Sequence, residues 1–171
     1  MDCGINHTTA RRWLSVLETS FVVILLRPTY RSFGKRLIKS PKLYFVDTWL
    51  LCYLLRIRDP RELHTHASRG AIFESWVVSE LAKRALHAGR DPDLWFWRDA
   101  RGHEIDVVID LGSEQIMMEV KSGKTLTRDY FRNIRYLRKT AGESVLPAAL
   151  VYGGDRNERR DDTQVTAWWN L

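Results

Sequence analysis

Three acidic residues and a lysine alternate with apolar residues along a segment whose sequence predicts a β-hairpin. The glycine-serine pair at 112–113 suits a two-residue turn that begins with glycine, so the residues on either side pair as antiparallel strands. In this register Asp106 lies opposite Glu119 and Glu104 opposite Lys121, with directly opposed Cβ atoms about 4.5–5.5 Å apart. The hairpin therefore has one charged face, which gathers these four side chains, and one face that can be buried. The members of the buried face are Ile105, Val107, Ile109, Ile116, Met118 and Val120.

The charged face predicts a site for a divalent metal ion. Two facing carboxylates repel each other unless they share a proton or hold a cation, and oxygen ligands suit Mg²⁺ or Mn²⁺. Asp106 and Glu119 would bind the ion, with the backbone carbonyl of Val120 as a further ligand. Glu74, in an upstream helical pattern, supplies another carboxylate. The alternative is that these are ordinary solvent-facing residues of an amphipathic hairpin.

Such a site predicts metal-assisted hydrolysis of a phosphodiester. The bound ion would polarise a phosphate oxygen and make a bound water more acidic. Lys121 would orient that water and stabilise the charge that grows on the phosphorane oxygens. Arg98, at the end of a strand predicted at 94–98, either holds a carboxylate through a bidentate pair or reaches a DNA phosphate. The sequence leaves both roles of Arg98 open.

Motifs around the hairpin resemble those of a known superfamily and, more narrowly, of one family. Asp106 followed by the Glu-Val-Lys motif at 119–121, after a helix that bears Glu74, is similar to the acidic-acidic-lysine signature of the PD-(D/E)XK nuclease superfamily. Five short motifs in order resemble the domain of unknown function that forms the C-terminal part of many prokaryotic AAA-type ATPases. They lie at residues 42–48, 73–74, 96–98, 104–106 and 119–123.

The resemblance implies an α/β (α+β) fold, in which a small mixed β-sheet is flanked by helices as in a restriction-endonuclease-like core. It also implies DNA as the partner. Glu74 would be an outer metal ligand or an acid that positions water, with Glu80 as an alternative structural acid. The catalytic residues that the resemblance implies are Lys121, Glu119, Asp106 and Glu74.

Two departures from the family limit what carries over. The chain has no glycine-rich loop followed by Lys-Ser or Lys-Thr, so no ATP site is predicted and an AAA-type ATPase would be a separate partner. Trp49 stands where the family usually has a glycine after its Asp-Thr pair. We expect the chain to be a fragment or truncated relative of an ATPase-associated protein.

The first 46 residues predict a partial winged-helix-like or linker segment. A helical pattern at 8–18, a strand at 21–26, a basic stretch at 27–39 and a strand at 42–46 follow one another. In this interpretation the basic stretch is a wing that contacts phosphates through Arg27, Arg31, Lys35 and Arg36. The alternative is a helix-strand packing unit with a solvated basic loop, because a winged helix needs an earlier helix. Residues 47–171 would form the nuclease-like domain.

A second basic surface follows the hairpin. The helix predicted at 127–140 carries basic residues along one side, which is typical of a solvated helix face but also suits a track for a DNA backbone. Around it the pattern predicts a helix at 68–88, strands at 148–152 and 165–169, and a charged loop at 153–163. The residues predicted to contact nucleic acid are Arg98, Lys124, Arg128, Arg132 and Arg135.

Composition agrees with a cytoplasmic protein that binds an anionic partner. The 171 residues include 27 basic and 21 acidic ones, for a net charge of +6. Cys3 and Cys52 are too few for a disulfide scaffold or a structural zinc site, and no apolar run reaches the ~20 residues that span a membrane. His64 and His66, in a predicted loop, are not expected to bind metal.

A second class of function also fits the sequence. The nuclease-like core would then act as a non-catalytic DNA-binding or docking module of an AAA-type ATPase, and the charged cluster would be structural. A shared fold constrains activity only weakly, so the sequence leaves both classes open.

Overall fold

One mixed β-sheet of eight strands runs through the computed structural model, which describes residues 4–29, 40–141 and 147–171. The predicted α/β class is confirmed. The strands are β1 Val23–Pro28, β2 Lys42–Phe45, β3 Leu94–Arg98, β4 Glu104–Asp110, β5 Gln115–Lys121, β6 Ala148–Tyr152, β7 Glu158–Arg160 and β8 Thr163–Ala167. The α-helices of the described residues are α1 His7–Thr19, α2 Thr48–Leu54, α3 Pro60–Thr65, α4 Arg69–His87 and α5 Arg132–Ala141.

The order of the strands brings several strand ends to one edge of the sheet. In space the strands run β2-β1-β3-β4-β5-β6-β8-β7. The pairs β1/β3, β5/β6 and β6/β8 are parallel, and the others are antiparallel. Consequently the ends of β1, β3, β5, β6 and β8 meet the starts of β2 and β4 at the same edge. Ligands commonly bind at the carboxyl ends of parallel strands.

Capping side chains explain where three of the helices begin. Asn6 accepts a hydrogen bond from the Thr9 amide at the start of α1, and Asp47 accepts from the Trp49 and Leu50 amides in the first turn of α2. Asp59 does the same for α3, whose first residue is Pro60. The prediction of a loop around His64 was therefore wrong, since that residue lies in the last turn of α3.

The two faces of the sheet are covered by different helices. One face, which we call the α4 face, packs against Val77 and Val78 of α4. The other, the α5 face, packs against Ile134 and Leu137 of α5. Burial of these apolar side chains anchors both helices to the strands. The buried strand residues of the α4 face are Leu26, Tyr44, Phe96, Val107, Met118, Val120 and Val151, and those of the α5 face are Trp97, Ile105, Val108, Met117 and Ala148.

The predicted hairpin register is confirmed over the paired part of β4 and β5. Val107 pairs with Met118 and Ile109 with Ile116, and the Leu111 amide donates to the Glu114 carbonyl across the turn at 2.9 Å. Gly112 has a φ of 81°, a backbone conformation that favours glycine. The turn chemistry thus sets the pairing, as the sequence predicted.

A β-bulge in β4 changes the faces predicted for its first residues. The register with β3 shifts between Trp95 and Trp97, so that Asp106 and Val107 together oppose a single residue of β3. Ile105 therefore packs on the α5 face, whereas Val107 packs on the α4 face. The prediction that these two residues share one apolar face was wrong.

The N-terminal segment adds two strands to the sheet. β1 pairs with β2 and, in parallel, with β3, and α1 contacts β1. The winged-helix interpretation and the division at residue 46 stay predictions. Arg27 is described and exposed, whereas Arg31, Lys35 and Arg36 of the predicted wing lie outside the described residues. Within the described part of the chain, no helix is long and apolar enough to cross a membrane.

The C-terminal strands differ from the predicted pattern. The segment predicted as a charged loop contains β7, which pairs with β8 and is the outermost strand on that side of the sheet. β8 is therefore not an edge strand. It pairs with β6 on one side and β7 on the other, and its alternation of buried Thr163, Val165 and Ala167 with more exposed residues shows that one of its faces is covered.

A close approach after β6 predicts a large effect of a small substitution. The Gly153 amide donates to the Lys121 carbonyl at 3.0 Å, and a Cβ at Gly153 would lie 2.4 Å from the backbone oxygen of Ser122. We expect Gly153→Ala to lower the free energy of unfolding by about 1–3 kcal/mol in urea denaturation, because the two strand ends must separate. Gly70→Ala is the matched control, since nothing lies within 4 Å of its Cβ position. Equal stability of Gly153→Ala and the wild type would contradict the prediction.

Candidate metal-binding site

The charged residues of the hairpin meet others at the shared edge of the sheet. Lys42 begins β2, Arg98 ends β3, Glu104 begins β4 and Lys121 ends β5. Glu74 reaches this edge from α4, which packs over the same strands. The topology therefore joins charged residues from five different secondary-structure elements. We call these residues, together with Asp106 and Glu119, the charged cluster.

Three carboxylates of the charged cluster form a group that could hold a divalent ion. Glu74, Glu104 and Asp106 each offer an oxygen, and these oxygens lie within 4.8 Å of one another. Among the described residues Glu119 is not part of this group. Carboxylate oxygens are the ligands that Mg²⁺ prefers, so the donor set fits the predicted ion.

The Lys42 ammonium lies among the same three carboxylates. Its Nζ is 2.5 Å from Glu74 Oε1, 2.5 Å from Glu104 Oε1 and 4.0 Å from Asp106 Oδ1. Tyr44, two residues along β2, donates its hydroxyl to the same Glu74 oxygen at 2.5 Å. The Lys42 ammonium thus offsets the repulsion among these carboxylates, and the Tyr44 hydroxyl helps to orient Glu74.

Lys121 links the two acids that the sequence placed opposite each other. Its Nζ donates to Asp106 Oδ2 at 3.1 Å and also to Glu119 Oε2. Asp106 Oδ2 further accepts from the Val120 amide at 2.8 Å. Asp106 is therefore the central carboxylate, since one of its oxygens faces Lys42 and the other faces Lys121.

Arg98 contacts the charged cluster from its outer side. The guanidinium donates to Glu104 and lies 5.7 Å from the centre of the Phe96 ring. Of the two roles left open by the sequence, the structure therefore shows the contact with a carboxylate. A contact between Arg98 and a DNA phosphate stays a prediction.

Burial and crowding shift the proton affinities of the charged cluster. Burial, and then repulsion by Asp106, raise the pKa of Glu74 and raise that of Glu119 to about 8. Burial by itself would lower the pKa of Lys42 and of Lys121, but the surrounding carboxylates outweigh it and raise both. Burial, together with Glu74, also raises the pKa of Tyr44. The lysines are thus held charged, while two of the acids hold protons more tightly than usual.

The pKa of Glu119 predicts a pH-dependent stability. Its folded-state value of about 8 exceeds the ordinary 4.5, so between these values the folded protein binds a proton that the unfolded chain has lost. The contribution of Glu119 to the free energy of unfolding therefore falls as the pH rises from 4.5 to about 8. We expect Glu119→Gln to melt at the wild-type temperature near pH 5 in EDTA. At pH 8 it should melt at least about 2–4 °C higher than the wild type. For a domain of this size that difference corresponds to roughly 1 kcal/mol in the free energy of unfolding.

The control for this measurement is Glu114→Gln, because Glu114 is exposed at the hairpin turn. This variant should follow the wild type at both pH values. A Glu119→Gln variant whose melting temperature differs from that of the wild type by the same amount at pH 5 and pH 8 would contradict the prediction.

The structure joins most of the predicted site residues and adds others. Lys121 donates hydrogen bonds to both Asp106 and Glu119, and Glu74 lies in the three-carboxylate group. Val120 contributes its amide to Asp106, while a metal-binding role of its carbonyl stays a prediction. The prediction of site residues omitted Lys42, Tyr44 and Glu104. A signal existed for all three, since they lie within the family-like motifs at 42–48 and 104–106.

The residues predicted to bind nucleic acid lie on different elements. Lys124 is exposed after β5, and Arg128 is exposed in a short 3₁₀ turn before α5. Arg132 lies 3.6 Å from Asp129. Arg135 lies 3.3 Å from an Asp161 oxygen and also bonds the carbonyl of Arg128. Contacts of these residues with nucleic acid stay predictions.

Two family models match the chain. One, described as a domain of unknown function, DUF4143, matches residues 69–171, and the other, described as a domain of unknown function, DUF8612, matches residues 1–61. The chain is 34% identical over 161 residues to an uncharacterized protein of Mycobacterium bovis and to one of Mycobacterium tuberculosis. The matches cover 94% of this chain and 35% of each relative, so the chain spans about a third of the length of these curated relatives. No solved structure matches.

Proposed function

The chain belongs to the DUF4143 family, and we propose that its charged cluster catalyses metal-dependent hydrolysis of DNA phosphodiesters. One observation carries the proposal. The oxygens of Glu74, Glu104 and Asp106 lie within 4.8 Å of one another, and Lys121 is bonded to the same Asp106. Three carboxylates that could ligate an ion, beside a charged lysine that could stabilise a phosphate, suit metal-assisted hydrolysis of a phosphodiester. The resemblance of the sequence motifs to PD-(D/E)XK nucleases supports the same conclusion.

Mg²⁺ or Mn²⁺ would be held by the three carboxylates of this group. When bound, such an ion supplies charge to a phosphate oxygen and makes a water more acidic. Asp106 suits the central position because both of its oxygens point into the charged cluster. Glu74 and Glu104 approach it from a helix and from its own strand, so the tertiary structure holds all three together without help from a loop.

Lys121 would act on the phosphate and on the attacking water. The pKa of its ammonium is raised by Asp106 and Glu119 despite burial, so it stays charged at neutral pH. A fixed positive charge beside the reacting phosphate stabilises the negative charge that develops during hydrolysis. Glu119, which is 1% exposed and bonded to Lys121, would position that ammonium. The sequence-based assignment of Glu119 as a metal ligand is thereby replaced, in this proposal, by a positioning role.

A specific observation favours the second candidate function, a non-catalytic DNA-binding or docking module. Lys42, Arg98 and Lys121 already form ion pairs with the four carboxylates of the charged cluster, so most of their negative charge is compensated without a metal ion. In that case the ion pairs would stabilise the fold, and the rest of a longer protein would supply the activity. An AAA-type ATPase is the partner that the family resemblance suggests.

The two candidates differ in a nicking assay on supercoiled plasmid and branched DNA. Nuclease function predicts nicking by the purified chain in Mg²⁺ or Mn²⁺, and none in EDTA. Binding of DNA without nicking in either metal would reject hydrolysis by this chain and favour the module.

A further inference from the structure

A groove lies next to the charged cluster on the α4 face. Its volume is about 750 Å³, and residues of α2, α3 and α4 line it. The segments that follow β5, β6 and β8 also line it. Phe73 and Ser122 line the groove, and their sequence neighbours Glu74 and Lys121 belong to the charged cluster. A ligand in the groove would therefore lie beside the proposed reaction site.

Aromatic rings form a continuous surface inside this groove. Phe73 stacks on Trp76 with ring centres 6.1 Å apart, and Trp76 meets the edge of Trp168 at 5.5 Å. Trp168 in turn meets Trp169 at 5.7 Å. Trp49 of α2 also lines the groove and is 81% exposed. Large aromatic faces left open to solvent are costly in a folded protein and are characteristic of binding surfaces.

Cations line the same groove. Arg58, Arg69 and Lys124 contribute positive charge. Two acids also line the groove, Asp59 and Asp155. Asp59 is paired with Arg61, which does not line the groove, so Asp155 is the acid that offsets part of this positive charge. Arg69 is held in place by hydrogen bonds to the Ser122 and His64 carbonyls. The groove thus combines aromatic faces with an excess of positive charge.

We propose that this groove binds unpaired nucleotides of a single-stranded nucleic acid. Bases of any sequence stack on aromatic side chains, and the phosphates between them are attracted by cations, which is the usual composition of single-strand binding sites. This proposal extends the proposed function and rests on it in one respect, the identification of the bound polymer as nucleic acid. The groove would guide the strand toward the charged cluster. A purely apolar ligand would leave the cations without a role.

Fluorescence anisotropy with a labelled oligothymidylate of about 10 nucleotides tests the proposal, since sites of this kind cover about 4–16 nucleotides. EDTA is present throughout, so that binding is measured without metal or hydrolysis. We expect Trp49→Ala to raise the Kd by about 5- to 100-fold, the loss that removal of one stacking partner causes. Trp13→Ala is the matched control and should keep the wild-type Kd within about twofold. Trp13 is 57% exposed on α1 and does not line the groove.

Cys52 locates the bound strand independently. This thiol lines the groove, and burial raises its pKa. Cys3→Ser leaves Cys52 as the single cysteine of the chain. We expect the oligonucleotide to slow the reaction of Cys52 with a disulfide reagent. Inorganic polyphosphate, which carries charge but no bases, should protect the thiol much less.

These measurements test binding in the groove independently of the nuclease activity. Absence of oligonucleotide binding, equal Kd values for Trp49→Ala and Trp13→Ala, or binding without protection of Cys52 would each overturn the proposal. Equal protection by polyphosphate would also overturn it, because stacking would then have no role. Asp106→Asn should bind the oligonucleotide like the wild type in EDTA even where it no longer nicks DNA, so the failure of one function does not imply failure of the other.

Discussion

Asp106→Asn and Lys121→Met are each expected to lower the rate of metal-dependent plasmid nicking by at least about 100-fold, because the first weakens the proposed metal site and the second removes the cation that stabilises the developing negative charge. The asparagine side chain would keep an oxygen that accepts from the Val120 amide, so the strand pairing should survive, but the negative charge that faces both lysines would be lost. Lys121→Met removes the ammonium and keeps most of the side-chain volume. The measurement is the initial rate of conversion of supercoiled to nicked plasmid in Mn²⁺.

Glu80→Gln is the matched control for these two variants. Glu80 is an acid of the same helix as Glu74 but pairs with Lys83, away from the charged cluster. Its variant should nick DNA at the wild-type rate, which also tests the alternative sequence-based assignment of Glu80. Circular dichroism spectra of all variants should match that of the wild type. Equal nicking by the wild type, Asp106→Asn and Lys121→Met would refute the proposed roles and show that the activity comes from elsewhere.

Lys42→Met is expected to lower the free energy of unfolding in EDTA by about 3–5 kcal/mol, which is the usual cost of removing one partner of a buried ion pair. The Lys42 side chain is 16% exposed, and it lies between carboxylates that would otherwise face one another without a cation. For a domain of this size the loss corresponds to a fall in melting temperature of about 6–20 °C. The measurement is thermal unfolding at pH 8.

Addition of Mn²⁺ should then stabilise Lys42→Met more than it stabilises the wild type. A metal ion has to displace the Lys42 ammonium in the wild type, whereas in the variant the three-carboxylate group is free to bind it. Metal binding to the folded state alone raises stability by about 2.7 kcal/mol at a concentration 100 times the Kd. The larger gain in the variant would identify the position of the ammonium as the position of the ion.

Lys83→Met is the control for loss of a lysine. Lys83 is more exposed and pairs with Glu80 on the surface, so its removal should cost less than about 1 kcal/mol. Similar melting temperatures for Lys42→Met, Lys83→Met and the wild type in EDTA would contradict the ion-pair role of Lys42. A Lys42→Met variant that is destabilised but not rescued by Mn²⁺ would support a purely structural cluster, as in the second candidate function.

Local sequence signals predicted much of the secondary structure. The Gly112-Ser113 turn determined the register of β4 and β5, because a two-residue turn and the alternation of side chains allow one pairing only. The helical pattern at 8–18 predicted α1, but the Asp59-Pro60 pair that starts α3 was overlooked, and a loop was expected there. Such signals act over a few residues, which is why they can be recognised without knowledge of the fold.

The composition of the charged cluster depended on contacts that no local pattern contains. Asp106, Glu119 and Lys121 could be placed together because one hairpin holds them. Lys42 and Glu74 reach Glu104 only because β2, α4 and β4 meet at one edge of the sheet.

The sequence by itself determined the hairpin, the helix caps and the identity of the acids and lysines. The tertiary structure alone decided which carboxylates come within 4.8 Å of one another and that Lys42 lies among them. It also decided the β-bulge at Asp106, which changes the faces of the residues before it. The physical reason is that register and capping arise from neighbours along the chain, whereas a bulge and a buried charge network are stabilised by packing between elements distant in sequence.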